Sequence, residues 1–222
     1  MIVIKRGKEP NSLLKFRKEN PDADYESDMP TDVLKDIREQ MWEEQRCLCA
    51  YCMKKIETPS VVRIEHCRPR HPQDEQEHDK KATLDFKWML GVCYGNSLVR
   101  GVKPEDKTCD AHRGNTELTV NPFDEMSVRK IKYKADGSIY SEDAEINKDV
   151  TETLNLNCQA LSLPQTRKNV LMAEKNRIMR KCKGKSQDAF MRELERTYAS
   201  LVQERNLTPY CGIIISWLES KL

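Results

Sequence analysis

The sequence predicts an α+β fold with a mixed N-terminal part and a helical C-terminal part. Three observations predict it. Cys47, Cys49 and Cys52 cluster just ahead of a short β-branched run, Val61-Val62-Arg63-Ile64-Glu65-His66. Asp136-Gly137 lies between Arg129–Lys134 and Ser138–Ser141, the signature of a β-hairpin. From Asp149 onward the pattern is helical, in segments near 149–161, 164–183, 186–205 and 209–222.

Taken in order, Met1–Ile4 reads as a short strand and Lys8–Tyr25 as loop with at most one helical turn. Thr31 is placed to cap a helix carrying Leu34, Ile37 and Met41 at helical spacing as far as Arg46. The strand ending at Glu65-His66 is stopped by Arg68-Pro69-Arg70-His71-Pro72. A charged loop holding His71 and His78 follows, both expected in solvent. Leu84–Val92 is apolar enough for a buried helix or strand, and Gly95–Lys107 reads as loop. Cys109–Arg113 makes one helical turn closed by Gly114. Ser186 is a good N-cap, Pro209 suits the start of the last helix, and Ile213–Ile215 with Trp217 suit a core. The expected organisation is 1–46, an N-terminal strand, loop and helix; 47–145, the chemically unusual core with its hairpin; and 146–222, a helical region.

With 222 residues, 38% hydrophobic and 33% charged, the chain is polar but long enough for one substantial core. The longest apolar run, Cys211–Leu218, is too short to span a bilayer, so no membrane partner is expected. The N-terminus lacks the apolar stretch of a signal peptide. Nine cysteines, odd in number and clustered, fit a reducing cytoplasm with metal-bound thiolates better than a disulfide framework. The net charge of +2 hides an asymmetry: nine acids against two bases over 21–44, and eight bases against one acid over 166–185. The basic stretch, with Arg177, Arg180 and Lys181, is either a phosphate-facing surface or a solvated helix.

Cys49-x-x-Cys52 is half of a tetrahedral thiolate site, because two intervening residues let both sulfurs converge on one ion. Cys93 and Cys109, each beside turn residues, supply the other half and complete a structural Zn²⁺ site. Cys47 could replace Cys49 only through a wider loop. Cys67, Cys158, Cys182 and Cys211 read as packing residues. A closed four-thiolate site leaves no position for water, which argues against a small-molecule zinc hydrolase. Glu65-His66 taken alone reads more readily as a surface ion pair than as a metal ligand beside a general base, and only the surrounding motifs change that.

The order of these features resembles the HNH endonucleases, the ββα-metal or His-Me finger nucleases, in their zinc-bearing form. The resemblance runs over residues 47–116: CxxC, strand with Glu65-His66, Cys93, then Cys109-Asp110-Ala111-His112-Arg113-Gly114-Asn115. Leu90-Gly91-Val92-Cys93-Tyr94-Gly95-Asn96, Glu117–Asp124 and Leu154-Asn155-Leu156-Asn157 are similar to the HNH subunits of the Septu and retron-associated anti-phage systems.

That resemblance implies a zinc-bearing nuclease core with helical flanks, and a phosphodiester hydrolase acting on nucleic acid, DNA foremost. His66 would be the general base. Glu65, with Asp110 or else His112, would hold a catalytic Mg²⁺ or Mn²⁺. Arg113 and Arg68 would meet phosphate. A carboxylate suits Mg²⁺ better than imidazole, which favours Asp110. The chain has no GxxxxGK[ST] motif, so the ATPase of such a system would be a separate partner, docking on the acidic 21–44 region or the last helices. Two departures stand out. Trp88 occupies the position of the family's central Asn, so His66 is oriented by a backbone carbonyl or by Asn96, or activity is reduced. The second zinc half is stretched to Cys93…Cys109, with Asn96 where its second cysteine would stand. The competing reading is an inactive zinc module of the same fold that binds nucleic acid or a partner protein.

Overall fold

The computed structural model describes residues 1–68, 70, 80–203 and 207–222; Pro69, His71 and His78 lie outside the described residues. Two helices open the chain, short elements fill its middle and three longer helices close it. Helices α1 (Asn11–Glu19) and α2 (Thr31–Glu44) come first, then strand β1 (Arg63–His66), helix α3 (Lys80–Thr83) and strand β2 (Met89–Val92). They are followed by α4 (Asp110–Arg113), α5 (Glu125–Arg129), the hairpin β3 (Ile131–Tyr133) and β4 (Ile139–Ser141), and α6 (Ala144–Lys148). Helices α7 (Leu163–Cys182), α8 (Gln187–Gln203) and α9 (Gly212–Glu219) close the chain. The fold is therefore α+β, with two small antiparallel sheets. Among the described residues no helix is long and apolar enough to cross a membrane.

Several local expectations are corrected. Among the described residues Met1–Ile4 has no strand partner, and its backbone instead bonds the Pro122 carbonyl through Ile4. Segment 8–25 holds a full helix, α1, anchored by fully buried Leu13. Thr31 is the first helical residue, and Pro30 takes the cap position without a side-chain bond. The helix expected over 149–161 is only a π-helical turn, Asp149–Thr153, followed by turns. Buried Asp149 explains the break, because its Oδ2 accepts from the Thr119 and Val120 amides at 2.7 and 2.8 Å.

Two apolar cores organise the chain. The first gathers Leu13 from α1, Ile37 and Met41 from α2, Met89 and Leu90 from β2, and Ile146, Val150 and Leu156. The N-terminal segment therefore shares one core with the cysteine-bearing region. The second core is built by α7, α8 and α9 around Ile178, Leu194, Ile213 and Ile214. Leu48 and Met53, which flank the first cysteine pair, belong to it. Ile215 and Trp217 pack at its edge. Arg167 clips the hairpin to α7: its Nε donates to the Gly137 carbonyl at 2.6 Å and its Nη2 to the Leu156 carbonyl at 2.9 Å. Gly137 is required there, because a Cβ would collide with the Pro164 carbonyl.

Candidate metal centre and active site

The four-cysteine cluster is built by two turns. Beyond α2 the chain reverses through Arg46 and Cys47, both at positive φ. Cys49 then pairs its amide with the Lys54 carbonyl at 2.9 Å, and Met53 returns its amide to the Cys49 carbonyl at 3.1 Å. The second turn follows β2. Gly95 sits at φ 53°, and a Cβ there would strike the Thr108 carbonyl, so only glycine lets the chain close onto Cys109. The Sγ atoms of Cys49, Cys52, Cys93 and Cys109 lie within 4.8 Å of one another. Cys47 is outside the cluster, which leaves the two-residue spacing as the ligand-bearing one. Lys54 donates its amide to Cys52 Sγ at 3.4 Å. Hydrogen bonding from Cys109 holds the Cys93 thiol well below its ordinary range, while bonding to Cys49 pushes Cys109 well above it. Buried thiols this close cannot all ionise against one another unless a cation joins them. The donor set and spacing fit a closed tetrahedral site for a metal such as zinc.

A cavity of about 260 Å³ opens beside this cluster, at the end of β1. Arg63, Glu65 and His66 from β1, Asp110 and Arg113 from α4, Arg38 from α2, and Tyr25, Arg70 and Tyr94 line it. His66 is buried, and its Nε2 lies 2.9 Å from the Thr83 carbonyl. A carbonyl only accepts, so Nε2 carries the hydrogen and Nδ1 keeps the lone pair. Tyr25 meets the imidazole edge-on, with centroids 4.5 Å apart and planes at 83°. Burial lowers the His66 pKa to about 4, which keeps the ring neutral at neutral pH. Of the two orienting groups considered, the backbone carbonyl holds the ring. Asn96 does not: its Nδ2 donates to the Asp106 carbonyl at 3.1 Å and braces its own loop.

Glu65 is buried at 6% exposure. Its Oε1 accepts from Tyr51 Oη at 3.0 Å and from Arg113 Nη1. Burial raises its pKa to about 8 against the pull of Arg113, and the negative charge of Asp110 adds to the rise. Asp110 Oδ2 is paired with Arg63 Nε at 2.5 Å. Glu65 and Asp110 are thus two neighbouring oxygen donors of the kind hard divalent cations take, each already met by an arginine.

Two expected site residues, Arg113 and His112, have other partners. Arg113 is 3% exposed; besides Glu65, it donates to the carbonyls of His66 at 2.8 Å, Cys67 at 3.0 Å and Thr116 at 2.7 Å. With those bonds made it is a framework residue rather than a phosphate contact. His112 does not line the cavity, and its Nδ1 lies 3.0 Å from the Thr153 carbonyl. Trp88 is stacked beneath Arg68, whose guanidinium carbon lies 4.3 Å from the ring centroid. That leaves Arg68 at the surface near the end of β1.

Two of the three cations singled out on the expected basic surface of α7 are paired with carboxylates. Lys181 Nζ bonds Glu193 Oε1 at 2.7 Å, and Arg177 reaches Glu174 at 2.7 Å and Glu193 at 3.5 Å. The Lys181 hydrogen bond holds the Glu193 carboxyl below its ordinary value. Arg180 bonds only the Asn176 carbonyl of its own helix, at 3.3 Å, and remains exposed.

Arg38, Arg63, Arg70, Tyr25, Tyr51 and Thr83 complete the site without having been singled out from the sequence. Arg63 was within reach of strand logic, since it lies two residues from Glu65 and so on the same face. The Thr83 carbonyl has no sequence signature at all. Comparison with family models and with curated proteins returns no match.

Proposed function

We propose that this chain is a metal-dependent endonuclease of the HNH type, hydrolysing nucleic-acid phosphodiesters at the cavity beside the zinc cluster. The observation that carries the reading is the setting of His66. It is a neutral, oriented imidazole with one lone pair to give, in a cavity that also holds the carboxyl groups of Glu65 and Asp110 and the guanidinium groups of Arg38, Arg63 and Arg70. Such a wall attracts a phosphodiester. His66 would take the proton of the attacking water. A pKa near 4 makes it a weak base, and the negative charge of a bound phosphate would raise it toward a useful value. Glu65 and Asp110 would hold the Mg²⁺ or Mn²⁺, which supplies Lewis-acid stabilisation of developing charge. Holding it would release Arg63 from Asp110. A zinc ion on Cys49, Cys52, Cys93 and Cys109 would fix the 49–52 turn, the end of β2 and the start of α4 together, and β1 is held to β2 by their pairing. The likeness in sequence to anti-phage subunits extends the proposal to a defence effector that is cytoplasmic and works with a separate ATPase.

The test is cleavage of plasmid and single-stranded DNA by the purified chain with Mg²⁺ or Mn²⁺. His66→Ala should lose roughly 10²–10⁴-fold in rate with zinc content unchanged. Cleavage by that variant at the parental rate would sink the assignment. A second reading, an inactive nucleic-acid-binding module, is favoured by the Arg113 contact on Glu65 and by Trp88 in place of an amide. A parent that binds DNA yet never cuts, with either ion, would select it.

A further inference from the structure

The stretch between Cys93 and Cys109 is fifteen residues long, and it carries the most exposed large apolar side chain among the described residues. Leu98 is 74% exposed and its neighbour Val99 55%. Scattered exposed apolar residues are ordinary, but two in succession at a braced loop tip are not. The loop is held at several points. Thr108 donates its amide to the Gly95 carbonyl at 3.0 Å, and the Asn96 side chain bonds the Asp106 carbonyl. Asn155 Nδ2 bridges the carbonyls of Glu105 and Lys107, each at 2.8 Å. The tip is therefore presented on a fixed frame, which lowers the entropic cost of any contact it makes. The same loop carries Arg100, Lys103 and Lys107 against Glu105 and Asp106, a net charge of +1, and among the described residues no salt bridge ties the three cations to a carboxylate. The loop leaves the cavity wall at Tyr94 and returns to it at Asp110.

Resting on the nuclease reading above, we infer that Leu98 and Val99 form a wedge that enters the minor groove of duplex DNA at a deformable base step, while Arg100, Lys103 and Lys107 take the adjoining phosphates. Apolar side chains flanked by cations are what such insertion requires: the former replace lost base stacking, and the latter anchor the backbone on either side. A protein partner would be served by the apolar pair but gives no role to three unpaired cations beside it. Unstacking next to the cavity would also bend the duplex and turn a phosphodiester toward His66.

The experiment uses the full chain without added Mg²⁺ or Mn²⁺, a short duplex carrying 2-aminopurine, and the matching single strand. The parent should raise 2-aminopurine fluorescence on binding the duplex. The double variant Leu98→Ala, Val99→Ala should give no rise and bind the duplex about tenfold more weakly, the equivalent of one apolar side chain left in water. Its affinity for the single strand should stay within about twofold of the parent. Both side chains are exposed, so its zinc content and circular dichroism should match the parent and exclude misfolding. A double variant that unstacks and binds the duplex like the parent overturns the wedge, as does a parent that binds without any fluorescence rise. A parent that binds neither duplex nor single strand at low salt overturns the nuclease reading itself.

Discussion

Arg113→Ala separates a framework arginine from a phosphate-binding one. The side chain makes four hydrogen bonds, one to Glu65 and three to the carbonyls of His66, Cys67 and Thr116. With a pKa of about 8, Glu65 is mostly protonated at pH 7, so little of the loss is Coulombic. What remains is the orphaning of buried acceptors, at roughly 1 kcal/mol or more each where water cannot replace the donor. The expected destabilisation is about 3–5 kcal/mol, comparable to breaking a buried ion pair. Arg63→Ala is the control, because Arg63 is 43% exposed and has one partner, Asp110; it should cost under about 1 kcal/mol. Urea unfolding at pH 7 with a fixed excess of zinc gives both values, with bound metal constant across variants. If Arg113→Ala unfolds within about 1 kcal/mol of the parent while its DNA affinity collapses, the arginine serves phosphate and the framework argument is wrong.

Two further predictions rest on the same geometry. Purified protein should carry one tightly held zinc, and Cys93→Ser should lose it and unfold more readily; a well-folded, metal-free parent in elemental analysis would refute the thiolate site. In pH dependence, His66 falls from 6.5 to about 4 on folding and Glu65 rises from 4.5 to about 8. Between pH 4.5 and 6.5 the unfolded chain holds an extra proton on His66 and the folded chain one on Glu65, so their contributions cancel. From pH 6.5 to 8 the Glu65 proton by itself makes stability fall by about 2 kcal/mol. The buried Met1 amino group, lowered from 8.0 to about 5, acts in the opposite direction, so the Glu65 fall is read as the difference between parent and variant. Glu65→Gln should remove that fall, and an identical slope in parent and variant would refute the protonated Glu65.

The fold was legible where a single physical signal dominated. Leu34, Ile37 and Met41 at helical spacing gave α2, although Val33 rather than Leu34 is the buried residue of its first turn, and Asp136-Gly137 gave the hairpin, because periodicity and turn chemistry are local. Helix α1 was missed because Leu13 is its only fully buried side chain, too little to mark a face in a charged stretch. The helix expected over 149–161 failed for the opposite reason. Its apolar residues are there, but Asp149 spends its carboxylate on a neighbouring turn, and Asn155 and Asn157 bond distant carbonyls and an amide. Competition from polar side chains for the backbone is long-range here, and no window of sequence contains both partners.

The same division explains the site. Cysteine spacing carries its own geometry, so the four-thiol cluster could be read from the chain. The roles of the charged residues could not, because an arginine's role depends on how many acceptors surround it. Arg113 and Arg63 look alike in sequence, yet one is enclosed by three carbonyls and a carboxyl while the other reaches the cavity with most of its fork uncommitted. The α7 cations follow the same rule. Read along the chain they form a basic stretch, but Glu193, contributed by α8, draws Lys181 and Arg177 into the helix interface. A cluster of positive charge is available to phosphate only to the extent that the folded protein has not already supplied the anion. By that criterion Lys181 and Arg177 are less available to an anion than the exposed Arg180 on the same helix.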